Sequence, residues 1–558
     1  MTFLDRYLPR KDFKDYKDFK ANYQLNIPES FNFAFDIVDG YAKEDPDKLA
    51  LLYYNDDKVE KRITFAEMKR LSDKAANAFR QMGIGRGDRV MLILRQRIEV
   101  WVCFTALCKL GAVCIPATFQ LTPKDIIYRC NAASIKCICA VDDEELVRFL
   151  RESRGECKTL ENICLEGENI EQRFGADGFR DLKKLIEEAD ESFERTFKNA
   201  NDEIMLIYFS SGTTGMPKMI QHDYTYPLGH ITTAYFWQHV EDGGLHLTMS
   251  DSGWAKFGWG KIYGQWIAGA AIVAYDHVRF DAVKTLEAID HLKLTTFCAP
   301  PTIYRFLIQE DMSKYDFSSL HHCCTAGEPL NPEVFNRFYE YTGHKIHEGF
   351  GQTETTVILA NFGWDEIKVG STGKPSPLYD IDIVDENGKP CEDGVVGTIM
   401  VKNASSAHPA GLFKGYFNDE AAMARSWKNG MYDTGDTAWR DSEGYYHFEG
   451  RNDDVIKCSG YRIGPFEVES ALITHPAVVE CAITAVPDPI RGQVVKAAIV
   501  LARGYEASDE LKKELQNHVK KTTAPYKYPR VVEFVKELPK TLGGKIKRNE
   551  IRKNDEKN

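Results

Sequence analysis

The sequence has no apolar run near the roughly 18 residues that a membrane-spanning helix requires. Its opening stretch, MTFLDRYLPRKDFKDYKDF, holds no apolar signal core. Asp5, Asp12, Asp15 and Asp18 also disfavour a transit peptide, a segment type poor in acids. No Cys-x-x-Cys pair occurs among the 14 cysteines, so a zinc site has little support. The cysteines sit mostly in apolar stretches such as VCFTALCKLGAVCIP and read as buried free thiols of a reducing compartment. The expected location is therefore cytoplasmic. Positive charge is in deficit: 71 Lys and Arg face 83 Asp and Glu, a net charge of −12. That argues against nucleic-acid binding through bulk charge. A Gly-x-Ser-x-Gly elbow, an internal repeat and a low-complexity tract are all missing.

What is present is a long, ordinary globular chain. Its 558 residues, 43% hydrophobic and 28% charged, exceed what one core accommodates, so two or more domains are expected. The first part alternates helix and strand. Thr64 and Glu67 have capping-box spacing, and Met68, Leu71, Ala75, Phe79 and Met82 form a helical stripe ending at Gly83. RVMLIL, AVCIP, IKCICAV, IMLIYF and TTFCAPP read as short buried strands, and EVWVCFTALCKL as a helix. The alternation predicts an α/β fold with largely parallel strands in layers. From about residue 370, YDIDIVDENGKP, GTIMVKN and GYYHFEGR predict an antiparallel β subdomain. After Arg451 comes an α+β unit of domain size, including a helix capped by Ser508 with Leu511, Leu515 and Val519 on one face. The expected division is a large domain over 1–452 and a small one over 453–558.

The stretch Ser210–Lys218, SSGTTGMPK, follows the strand IMLIYF and concentrates glycines, hydroxyls and one lysine. It fails the Walker pattern, because Gly212 and Gly215 are three apart and Lys218 follows Met216-Pro217. It still has the chemistry to cradle phosphate: glycines admit backbone N–H groups, Ser210, Ser211, Thr213 and Thr214 donate, and Lys218 offsets charge. Alone, it would read as a polar surface turn.

It is accompanied by GEPL (327–330), GFGQTET (349–355), YDTGDTAW (432–439), GRNDDVIKCSGYRIGPFEVE (450–469) and LPKTLGGKIKR (538–548), in that order. This ordered set closely resembles the adenylate-forming superfamily of acyl-CoA synthetases, luciferases and peptide-synthetase adenylation domains, over nearly the whole chain. APYKYPR and PDPIRGQVVKA resemble its medium-chain acyl-CoA synthetase branch. The resemblance implies an ATP- and Mg²⁺-dependent acid–CoA ligase, with the small domain mobile about Asp453. Ser210 to Lys218 would wrap the β- and γ-phosphates, Glu354 would ligate Mg²⁺, and Thr353 would meet the α-phosphate. Gly327, Glu328 and Pro329, with Glu348, Gly349, Phe350, Gly351 and Gln352, would lie along the adenine. Asp436 would take the ribose hydroxyls beside Arg451, and Arg462 would face the phosphates. Lys545 would join substrate carboxylate and α-phosphate. Ser459, Gly460 and Tyr461 would flank the pantetheine arm of coenzyme A, with Arg491 and Lys520 toward its phosphates.

Residues 250–266 and 295–302 fall where such enzymes build the acyl pocket, implicating Trp254, Lys256, Trp259 and Cys298 beside Gly327 and Gly351. Aromatics at such spacing are usually core, and the two tryptophans read as core ahead of pocket walls. Acetate-activating relatives carry tryptophan where this chain has Gly351, so a larger acid is expected, medium-chain or short branched, with aromatic acids open. Lys256 could point to solvent, the reading slightly preferred, cap a shortened pocket, or meet a polar substrate group. HHCC (321–324) is a weak metal candidate, since neighbours on a strand alternate faces. His222 reads as structural. The rivals are an amino-acid adenylating module, for which no carrier segment follows before Asn558, a luciferase-like oxygenase, and a catalytically dead nucleotide binder. The partners expected are a small carboxylic acid, ATP and coenzyme A, without nucleic acid or a membrane span, in a possible homo-oligomer.

Overall fold

The computed structural model describes residues 2–210, 216–364, 366–458, 461–540 and 546–555, without the side chains of Lys457, Tyr461 and Arg462. The alternating helices and strands of the first part resolve into two sheets. One runs, in spatial order, Lys374–Pro375, Val357–Ala360, Ile346–Gly351, His322–Ala326, Thr296–Cys298, Leu245–Thr248, Ala271–Asp276, Leu49–Asn55 and Glu60–Thr64. Its interior pairings are parallel and its margins antiparallel. The other runs Gly415–Tyr416, Lys218–Asp223, Ile204–Ser210, Val113–Pro116, Arg89–Ile93, Ile135–Val141, Asn162–Glu166 and Arg180–Asp181. Buried parallel strands are apolar on both faces, which is why VMLI and IVAY stretches lack alternation.

The largest core fills the space between these sheets, with the helix Ile98–Leu110 and the indoles of Trp101, Trp237 and Trp266 fully buried in it. The helix Phe65–Gln81 enters through the expected capping box, with both Thr64 and Glu67 bonds present. Antiparallel strands Ile381–Val384, Gly397–Val401, Met431–Arg440 and Tyr446–Arg451 make the predicted β subdomain. The last sheet pairs Val478–Asp488 with Gly492–Leu501 over a separate core. There Ser508 caps the helix Asp509–Thr522, whose Leu511, Leu515 and Val519 are buried as anticipated. Among the described residues no helix is long and apolar enough to cross a membrane.

Candidate active site

The site forms where the ends of these sheets meet the β subdomain. Ile204–Ser210 and Lys218–Asp223 are an antiparallel hairpin with Ser210 paired to Lys218; residues 211–215, the middle of the expected phosphate loop, lie outside the described residues. Lys218 aims its ammonium over the Tyr416 ring, 4.6 Å from the centroid. The Tyr416 hydroxyl donates to Glu354 Oε1 at 2.9 Å. Burial first, and then the Glu354 charge, holds that phenol far above its ordinary pKa, so it remains a donor. The strand Gly415–Tyr416 pairs with the hairpin, and Phe413 N–H donates to the Glu354 carbonyl at 2.8 Å. One short segment thus fixes both the lysine and the carboxylate.

The QTE turn is anchored from both sides. His222 Nε2 bonds the Thr353 carbonyl at 2.8 Å. Burial pushes His222 down to about 3, so its ring is neutral and Nε2–H is the donor. This is the structural role expected of it. Gln352 receives the Tyr432 hydroxyl at 2.6 Å and donates to the Thr434 carbonyl at 2.7 Å and to Asp436 Oδ2. Asp436 is 5% exposed and faces Arg451 Nη1 at 3.8 Å. Arg451 in turn bonds the Thr434 carbonyl at 3.2 Å and reaches Asp453 at 3.5 Å. A series of contacts therefore runs from Lys218 to Tyr416, which also holds Glu354, and through the Tyr416–Tyr432 hydroxyl pair to Gln352, Asp436, Arg451 and Asp453. Sequence reasoning missed Tyr416, Tyr432 and Thr434. The last two lie inside the YDTGDTAW motif, whereas Tyr416 carries no signal of its own.

The segments expected to lie along the adenine are joined to one another. Glu348 accepts from Leu330 N–H at 3.0 Å and from Thr372 at 3.2 Å, tying GEPL to the strand Ile346–Gly351. Burial pushes its carboxyl up to about 7. Glu328 accepts from Thr302 at 3.0 Å. Gly327 has φ +102°, a conformation that glycine adopts at no steric cost.

In the acyl region, Trp259 is both core and neighbour to the site. A Cβ on Gly351 would come 2.4 Å from its indole and 2.4 Å from the Thr356 carbonyl. The space left by glycine at 351 is thus partly filled by an indole arriving from residue 259. Trp254 is half-buried at the start of the helix Ala255–Gly260, and Cys298 is buried at the end of its strand. Lys256 corrects an expectation. It does not extend into solvent but turns inward to the Ala326 carbonyl at 2.7 Å, the residue before Gly327. Nearby, burial pushes Lys261 down to about 7 against the pull of Asp251 and Asp276. The HHCC segment alternates as geometry requires: His322 and Cys324 reach the Trp237 carbonyl while Cys323 enters another core.

Lys545, Ser459 and Gly460 lie outside the described residues, and Tyr461 and Arg462 are described only as backbone of the strand Tyr461–Ile463. Arg491 caps a turn through its N–H to Asp488, and Lys520 lies over the Tyr528 ring at 4.1 Å; neither contacts the series above.

Two family models match the chain: AMP-binding enzyme over residues 38–417 and AMP-binding enzyme C-terminal domain over 467–545. The chain belongs to the AMP-binding enzyme family. It is 43% identical to mouse (Mus musculus) mitochondrial acyl-coenzyme A synthetase ACSM3, over 98% of this chain and 94% of that protein. It is 42% identical to human (Homo sapiens) mitochondrial acyl-coenzyme A synthetase ACSM4, over 96% and 93%. The crystal structure of the anthranilate CoA ligase AuaEII with anthranoyl-AMP superposes with a TM-score of 0.86 at 29% identity, over 95% of this chain and 98% of that one. The protein is an AMP-forming acyl-CoA synthetase, as its ordered motifs implied: ATP and an acid give an acyl-adenylate, and coenzyme A takes the acyl group. The medium-chain branch resemblance stands with it. The cytoplasmic expectation does not stand, since these relatives are mitochondrial. Buried free thiols report a reducing environment, and that property does not single out the cytoplasm.

Proposed function

We propose that this acyl-CoA synthetase activates a medium-chain or short branched carboxylic acid, with Mg²⁺, through the polar series from Lys218 to Arg451. The observation that carries this is the convergence of Lys218 and Glu354 on Tyr416, with Gln352 and Asp436 next in line. Carboxylic acids have a pKa of about 4, so the nucleophile is already ionised at neutral pH and needs no base. The barrier is the meeting of an anion with a polyanion, and cations and donors fixed in advance lower it.

Ser210 to Lys218 cradle the β- and γ-phosphates, Thr353 meets the α-phosphate, and Asp436 accepts from the ribose while Arg451 holds it. The donor set fits magnesium: a single hard carboxylate, Glu354, beside a triphosphate site matches an ion that takes one or two carboxylates plus substrate phosphates. Glu354 would hold it, and bound there it would screen the phosphate charge. Lys545 and Arg462 add the remaining positive charge at the reacting atoms.

Asp453 is the hinge. It is exposed between two anchored neighbours: Arg451 is tied to Asp436 and Thr434, whereas Asp454 is gripped by Arg552 at 2.6 Å and Arg548 at 3.7 Å from the C-terminal helix. An exposed residue between two anchored ones, itself joined to Arg451 by a long 3.5 Å ion pair, absorbs rotation. After rotation, Ser459, Gly460 and Tyr461 flank the incoming thiol, with Arg491 and Lys520 toward the coenzyme A phosphates.

Trp259 against Gly351 and Lys256 against Ala326 bound the acyl end. A second reading, an aromatic acid, is favoured by the Trp259 indole and by the anthranilate ligase likeness. A panel of straight, branched and aromatic acids with ATP, Mg²⁺ and coenzyme A, read as AMP and thioester, separates the two. Preference for benzoate-type acids would displace the first reading, and turnover of none would remove both.

A further inference from the structure

Four cysteines from three elements meet inside the eight-stranded sheet, away from the site described above. Cys137 and Cys139 are two apart on the strand Ile135–Val141 and project from one face. Cys139 is the register partner of Cys164 on the parallel strand Asn162–Glu166. The sulfurs of Cys137, Cys139 and Cys164 all lie within 4.8 Å of one another. The helix Ile98–Leu110 brings the Cys103 thiol to hydrogen-bonding reach of Cys139. The Met82 thioether is 3.6 Å from the Cys164 sulfur. All four cysteines are 0% exposed.

Three points no more than 4.8 Å apart share a centre at most about 2.8 Å from each, while metal–thiolate bonds run about 2.3 Å. A shift of about half an ångström per side chain therefore closes the three sulfurs on an ion. We propose that Cys137, Cys139 and Cys164 form a buried site for one soft monovalent ion, copper(I), with Met82 as an additional sulfur donor.

Donor chemistry selects the ion. An all-sulfur set that includes a thioether suits copper(I), whereas hard cations require oxygen. Structural zinc takes four ligands, and completing the set with Cys103 would give a tetrathiolate complex of net charge −2 inside an apolar core. Charge favours the same choice. One Cu⁺ replacing one thiol proton, released to solvent, leaves a neutral complex in which the other sulfurs remain neutral donors. The surroundings are apolar core, where net charge is costly.

The test is an anaerobic titration of the reduced full-length protein with Cu(I), in competition with a chromogenic Cu(I) chelator. Thiolate-to-copper absorption and the thermal midpoint are followed together. The titration is repeated on protein refolded with Cu(I), so that slow entry into a closed core is not mistaken for weak binding. One retained equivalent and a raised midpoint are expected. Cys139→Ala and, independently, Cys164→Val weaken retention by at least about tenfold. Cys323→Ala, in a different core cluster, leaves it unchanged. Failure of the refolded protein to retain an equivalent, equal loss in Cys323→Ala, or uptake of Zn(II) in preference to Cu(I) overturns the proposal and leaves the thiols as packing groups.

Discussion

Replacing Tyr416 by phenylalanine removes a single hydroxyl from the centre of the polar series. The ring remains beneath the Lys218 ammonium, 4.6 Å away, and the 2.9 Å bond to Glu354 is lost. A hydrogen bond to a charged group contributes about 1.5–3 kcal/mol. If that bond holds Glu354 in place for magnesium and the phosphates, Y416F slows adenylation by roughly 10- to 150-fold. It also raises the Mg²⁺ concentration for half-maximal rate. Tyr416→Leu removes the ring as well, adding a cation–π loss of about 0.5–2 kcal/mol, or roughly a further 2- to 30-fold. The assay is acid-dependent exchange of labelled pyrophosphate into ATP, measured across a magnesium series and compared with thioester formation from supplied acyl-adenylate. Unchanged exchange at limiting Mg²⁺, or equal slowing of both half-reactions, would refute the reasoning.

Gly351→Ala places a methyl 2.4 Å from both the Trp259 ring and the Thr356 carbonyl, and backbone cannot yield. It should cost about 1–3 kcal/mol by denaturant unfolding and raise the KM for the acid more than that for ATP. Lys256→Met removes the donor to the Ala326 carbonyl while keeping the stem, and should shift preference in the acid panel toward longer unbranched chains with the KM for ATP unchanged. Stability should fall on mild acidification. His222 and His246 are buried and pushed down to about 3, and burial also holds His230 and His322 below their ordinary value. The unfolded chain takes up these protons from near pH 6.5 downward while the fold refuses them. The histidine contribution is therefore full above that pH and declines as pH falls toward the folded values, by about 1.4 kcal/mol per pH unit for each. Glu348 and Glu449, raised by burial to about 7, and Asp251, raised to about 6, act in the opposite sense, but His239, His347 and His408, pushed down to about 4, add to the fall and the histidines outnumber the carboxyls. Urea midpoints between pH 7 and 5 that do not fall would contradict this.

Much of this was legible in the sequence because it is local. The Thr64–Glu67 capping box, the Ser508 cap and the stripe Leu511–Leu515–Val519 depend on contacts within one helical turn or face. The motifs proposed to hold ATP are compact, and Gln352, Asp436 and Arg451 contact one another in series. What escaped is set by long-range pairing. Tyr416 belongs to a two-residue strand, too short for any periodicity, and matters only because that strand pairs with the hairpin. The direction of Lys256 depends on a carbonyl 70 residues away. Trp259 was readable as aromatic and buried, but its contact with Gly351 follows from packing between elements. The thiol cluster follows from the register of two parallel strands, which sequence spacing does not encode.

In the proposed mechanism, positive charge and donors gathered around the triphosphate let an ionised acid attack it, and Lys545 supplies the last cation in the first half-reaction only. The most direct measurement runs both halves on Lys545→Ala. Wild-type protein should exchange pyrophosphate with acid present and coenzyme A absent. K545A should lose that exchange yet still turn synthetic acyl-adenylate and coenzyme A into thioester at close to the wild-type rate. Exchange that survives in K545A, or a variant equally deficient in both steps, would contradict the account.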